Sequence, residues 1–191
     1  LAAPEGISNL TDWTHNGFLI FTLGGNLRAL PLNPDASGNR TPVPAIQSIG
    51  RERGAYVSPD NRWIAYMSSE TGRDEIYVQP FSVGGNKASG KWMVSRGSRG
   101  MARWRGDSKE LMFLNSEGEV VAVDVAPGPT FQASAPKKLF QMPLELLSNQ
   151  NPGTQADATR DGQRLLLVMP VQENSQRELA VVLNWQDGVK R

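Results

Sequence analysis

The sequence predicts an all-β chain. Three observations carry that prediction: a turn motif that recurs four times, an apolar strand after each copy, and a scarcity of glutamate- and alanine-rich helical stretches. The turn reads Thr14-His15-Asn16-Gly17, Ser58-Pro59-Asp60-Asn61, Arg105-Gly106-Asp107-Ser108 and Thr159-Arg160-Asp161-Gly162. Its Asn or Asp stands at positions 16, 60, 107 and 161, so the spacings are 44, 47 and 54. Such spacings suit a four-stranded blade with variable loops. The expected architecture is therefore a β-propeller of about four four-stranded blades, near 10–49, 50–98, 99–147 and 150–191. Three forms are open: a compact ring, part of a larger propeller, or a unit completed by self-association.

Each element of the repeat has a physical reason. Pro59 presets φ at the first corner, and Asp60 can bond its own backbone. Gly17, Asn61 and Gly162 tolerate the left-handed conformation that closes a bulged hairpin, whereas Ser108 fits less well there. An apolar strand follows each turn, at 18–21, 63–67, 111–114 and 165–169. A polar turn comes next, for example Glu70-Thr71-Gly72-Arg73, and then a third strand at 27–32, 75–81, 120–125 and 179–185. Gly- and Pro-rich stretches lead to a fourth at 42–46, 91–95 and 137–141. Val, Ile, Leu, Tyr and Trp fill these strands, and turn signals bound them. The fourth repeat lacks a last strand. Residues 1–9 either close that blade or form a frayed tail. The one competing helical stretch, 139–147, is interrupted by Pro143.

Composition bounds the function classes. The 191 residues carry a formal net charge of +1, which gives no global pull toward nucleic acid or membrane. No apolar run approaches the roughly 20 residues needed to span a bilayer, so no membrane insertion by this segment is expected. No signal peptide is visible, but the chain begins with Leu1 rather than Met, so targeting is undecided. Without cysteine there is no disulfide framework.

Several stretches resemble the repeat of TolB-like, WD-repeat-like bacterial β-propellers. They are Asp12-Trp13-Thr14, the run from Val57 to Tyr66, Ser69 to Phe81, Ala102-Arg103-Trp104-Arg105, Gly128-Pro129-Thr130-Phe131 and Val181-Val182-Leu183-Asn184-Trp185. Together they resemble the C-terminal propeller region of soil-bacterial proteins, some of which carry a kinase domain and a membrane span. This chain has no kinase motif. The resemblance implies a periplasmic or extracytoplasmic setting and a structural repeat, with six or seven blades more usual than four.

No motif for chemistry emerges. His15 is the single histidine, and with no cysteine it lacks transition-metal partners. No metal and no cofactor are expected. Gly97-Ser98-Arg99-Gly100 is not a nucleophile elbow. A carboxylate-dependent glycosidase- or lyase-like site would need only two acids and stays open. The basic run Lys87, Lys91, Arg96, Arg99, Arg103, Arg105 and Lys109 reads as a solvated connection between blades, with an anionic-partner patch as the alternative. Arg73-Asp74-Glu75 reads as a turn-stabilising ion pair. Among the five Trp, which invite a sugar-stacking reading, Trp13, Trp63 and Trp104 fall at repeat positions and are expected in the core.

The candidate ligand-binding residues come from aligning the position four before each anchor: Asp12, Tyr56, Arg103 and Asp157. All four are polar. Their flanking neighbours, Thr11, Ala55, Ala102, Ala156, Trp13, Val57, Trp104 and Ala158, are mostly small or apolar. Strand alternation puts the polar set on the opposite face from its neighbours. Buried polar groups must be paired, so Asp12, Arg103 and Asp157 are expected near the central channel, with Arg103 between the carboxylates. The role expected is a non-catalytic module binding or scaffolding a protein or small ligand. A purely structural polar ring is the rival. Nucleic acid is not expected as a partner.

Overall fold

The computed structural model describes residues 7–46, 50–83, 90–142, 156–168 and 179–182. Within them the chain forms 15 strands in four antiparallel sheets and no helix. The first sheet holds β1 (Ile7–Trp13), β2 (Phe18–Leu23), β3 (Asn26–Pro31) and β4 (Val43–Pro44). The second holds β5 (Glu52–Val57), β6 (Trp63–Ser68), β7 (Glu75–Pro80) and β8 (Trp92–Met93). The third holds β9 (Ser98–Trp104), β10 (Glu110–Asn115), β11 (Glu119–Asp124) and β12 (Lys137–Gln141). The fourth holds β13 (Ala156–Ala158), β14 (Leu165–Val168) and β15 (Leu179–Val182). Strands run in sequence order across every sheet, which is the meander of a propeller blade.

The recurring turn joins the first and second strand of each sheet. The residue after the anchor has positive φ in all four copies: Gly17 at 84°, Asn61 at 58°, Ser108 at 62° and Gly162 at 71°. Ser108 therefore adopts the conformation despite its side chain. A hydrogen bond recompenses it, because its hydroxyl accepts from Asp60 N–H at 3.0 Å in the neighbouring sheet. The first residue of the turn supplies a second lock. The hydroxyls of Thr14, Ser58 and Thr159 donate to Asn16, Asp60 and Asp161, and each accepts an N–H at the start of the following strand or just before it, from Phe18, Trp63 and Arg164. Arg105 takes this place in the third copy and pairs with Asp107 at 2.8 Å.

The sheets stack face to face, and the core lies between them. Ile20, Leu27 and Ala29 meet Ile64, Tyr66 and Tyr77 between the first two sheets. Trp63, Val78, Phe113 and Val123 fill the next interface, where the rings of Trp63, Trp92 and Phe131 meet at 5.4–5.8 Å. Leu114, Val120, Ala156 and Leu165 fill the third. This burial is the main driving force, at roughly 25 cal/mol per Å² of apolar surface. The first strands of successive sheets lie side by side, β1 on β5, β5 on β9 and β9 on β13. They are the innermost strands. Those of the first three sheets carry register shifts. In β5 the shift falls at Gly54, whose φ of 60° a β-carbon would strain.

Two expectations need correction. Residues 7–9, expected to close the last blade or to fray, open β1 and pair with β2 in the first sheet. Ile7-Ser8-Asn9-Leu10 does not alternate apolar and polar residues and lies before the first turn marker, so nothing in it announces a strand. The fourth strands expected at 42–46 and 91–95 shrink to two residues each. Pro42 and Pro44 have no N–H for a ladder, and short outer strands leave little unpaired edge. Residues 1–6 and 143–147 lie outside the described residues.

Candidate functional site

Strands β1, β5, β9 and β13 each carry one of the four aligned polar residues. Arg103 is their centre. It is only 8% exposed, and its guanidinium carbon lies 3.8 Å from the centroid of the Tyr56 ring. Its Nη1 donates to Ala102 O at 2.8 Å, and its Nη2 donates across to Ala156 O of β13 at 2.5 Å. Its Nε lies 3.4 Å from the Asp157 carboxylate. Asp157 is 75% exposed, so solvent screens that pair strongly. Asp12 sits on the other flank. Its Oδ2 accepts the N–H of Val57 in β5 at 2.7 Å. Burial pushes the Asp12 pKa up; the Val57 N–H and the charge of Arg103 oppose that only in part. Burial likewise raises the Tyr56 phenol, with Arg103 pulling the other way.

These contacts bind blade to blade. Asp12 ties β1 to β5, and Arg103 ties β9 to β13. Trp104 completes the series, its indole N–H donating to Tyr56 O of β5 at 2.9 Å. Outside the sheets, Gly106 N–H donates to Arg160 O at 2.7 Å. A buried cation accepted by two carbonyls and a ring face meets the demand that a desolvated charge be paired. The contacts of Asp12 and Arg103 thus form a clasp between neighbouring sheets.

A cavity of about 160 Å³ opens at the end of β1. Asp12, Tyr56, Arg103 and Trp104 line it, with Trp13 at the end of β1 and His15 in the turn. Here the expectation of a core Trp13 fails: its side chain is 70% exposed, while Trp63 and Trp104 are buried. The repeat alignment placed Trp13 level with Trp104. Trp104, however, has the preceding sheet to pack against and the Tyr56 carbonyl to bond. Ala55, Val57, Ala102 and Trp104 are therefore buried as strand alternation requires, and Trp13 is not. Asp157 is not among the residues lining this cavity.

A second cavity, of about 950 Å³, runs between the outer strands of the second and third sheets, beside Trp92, Arg96, Phe113, Glu117 and Phe131. Besides Arg103, three members of the basic run have separate partners. Lys91 pairs with Glu70 and lies over the Tyr77 ring at 4.3 Å. Arg99 Nε donates to Ser116 O, and Arg105 meets Asp107 and Glu110. Lys87 lies outside the described residues. The Arg73-Asp74-Glu75 stretch forms two ion pairs. Arg73 meets Glu75 at 2.6 Å, and Asp74 meets Arg53 of β5. Glu75 is fully buried; burial raises its pKa, but donation from Ser95, Gly97 N–H and Arg73 outweighs burial and holds it below the ordinary value. Among the described residues no three His, Asp or Glu side chains stand together as metal ligands.

No protein-family model matches the sequence, and no curated protein does. Solved structures do. A protein of Agrobacterium tumefaciens assigned to TolB superposes with a TM-score of 0.65 at 17% identity, over 98% of this chain and 61% of that one. TolB of Acinetobacter baumannii gives 0.54 at 16% identity, over 94% and 41%. A Bacteroides uniformis protein assigned as a 6-phosphogluconolactonase gives 0.56 at 15% identity, over 88% and 50%. The chain therefore spans between two-fifths and about three-fifths of the length of these structures. At such identities the likeness establishes fold and leaves ligand and activity apart. The chain is an all-β assembly of propeller blades similar to those of TolB.

Proposed function

We propose that the chain is a non-catalytic binding module of the TolB-like propeller type, capturing a protein or small ligand at the inner end of β1. One observation carries this reading: an indole 70% exposed at the rim of a cavity lined by Asp12, Tyr56 and Arg103. Monomer surfaces seldom leave a large aromatic ring in water beside convergent polar groups without a partner for it. The arrangement argues against the carboxylate-dependent alternative. Hydrolysis by two acids needs both flanking one bond, roughly 5–9.5 Å apart. Asp12 is the one carboxylate among the described lining of this cavity, and Glu117 the one in the larger groove.

The test is amide and indole chemical-shift mapping of the 191-residue chain against sugars, amines, short peptides and nucleotides. Shifts gathered at Trp13, His15, Tyr56 and Arg103 are expected for at least one class. Shifts only elsewhere would overturn the site. Turnover of a nitrophenyl glycoside that Asp12→Asn abolishes would replace binding with catalysis.

A further inference from the structure

The shape and charge of the same cavity narrow its ligand, and this step rests on the binding-module reading. Its volume of about 160 Å³ falls below the roughly 300–1,000 Å³ of pockets for drug-sized molecules. That size suits one ring rather than a chain of rings. The charges disfavour an ionic guest of either sign. Arg103 is the cation at hand, but Ala102 O, Ala156 O, Asp157 and the Tyr56 ring already surround its guanidinium, so much of its charge is answered within the protein before an anion arrives. A second cation beside Asp12 would face the Arg103 charge that already acts on that carboxylate. A neutral guest escapes both penalties. Asp12 has two oxygens with about four acceptor sites; the N–H groups of Val57 and Trp13 act on that carboxylate, and the remaining acceptor sites are left for hydroxyl donors. The exposed Trp13 face offers an apolar platform.

We propose that this cavity takes a single neutral pyranose ring, its apolar face on the Trp13 indole and its hydroxyls donating to the Asp12 carboxylate, with His15 at the rim. Lone sugar rings bind weakly, so a dissociation constant of about 1 mM is the scale to expect. The experiment titrates the chain with the methyl glycosides of glucose, galactose, mannose and N-acetylglucosamine. Tetramethylammonium and inorganic phosphate serve as charged probes. The readout is the Trp13 indole N–H resonance, assigned by its absence in Trp13→Phe. At least one glycoside should shift it, with binding about 10-fold weaker or worse in Trp13→Ala, intermediate in Trp13→Phe, and an unchanged melting temperature. A shift that survives Trp13→Ala would overturn the stacking. A response to tetramethylammonium or phosphate alone would overturn the sugar and leave the binding module standing. Silence from every probe and every other ligand class would overturn both.

Discussion

Replacing Arg103 by Met removes the guanidinium and keeps most of the apolar stem. The buried group makes two charge-assisted bonds to carbonyls, each worth roughly 1.5–3 kcal/mol. Its contact with the half-buried Tyr56 ring adds roughly 1–2 kcal/mol. The Asp157 pair adds about 0–1 kcal/mol, because Asp157 lies in solvent. These values are already net of the cation's lost hydration, but they belong to one guanidinium and do not simply add. The net loss comes to about 2–4 kcal/mol. For a chain of this size that lowers the melting temperature by about 5–15 °C. Urea denaturation followed by tryptophan fluorescence, with calorimetry beside it, measures both. Asp157→Ala should cost less than about 1 kcal/mol. A loss below about 0.5 kcal/mol for Arg103→Met, or an equal loss for the two variants, would refute the clasp. Lost ligand binding in a variant that keeps its stability would make Arg103 part of the site instead.

The turns and the pH response give further checks. Gly162→Val puts a β-branched residue at φ 71° with its β-carbon 3.0 Å from the Arg105 side chain, and should cost about 2–3 kcal/mol by urea midpoint; Asp60→Ala, which loses its bonds to Ser58 and Arg62, should cost about 1 kcal/mol. Trp104→Phe removes the indole donor to Tyr56 O and should cost about 1 kcal/mol, read in the same titration. Glu75 has a folded pKa below its ordinary 4.5, so its contribution is present above that value and is lost as pH falls through the depressed one. Glu75→Gln should therefore flatten the acid limb of a stability profile taken from about pH 5 down to 3. Asp12 has the opposite sign: its raised folded pKa makes stability fall as pH climbs from 3.8 through that value, and Asp12→Asn should remove this slope.

The repeat was legible because it is local. A hydroxyl or Asp that bonds its own turn, a residue with positive φ, and an apolar run that alternates or is buried on both faces all act within about ten residues, so they leave a mark in the chain itself. From them follow the order of the strands and the position of the turns. The polar set Asp12, Tyr56, Arg103 and Asp157 was legible too, as an anomaly of polarity on inner strands. What each member does was not. The partners of Asp12 and Arg103 include backbone groups 45 and 53 residues away, and backbone groups have no sequence signal. The same limit explains Trp13. Its place in the repeat matches that of Trp104, and only the packing of one sheet on another decides that Trp104 is covered and bonded while Trp13 stands in water. Local chemistry writes the blade. The surface a ligand could meet is left by whichever side chains the stacking of blades fails to cover, and that is a property of the tertiary structure alone.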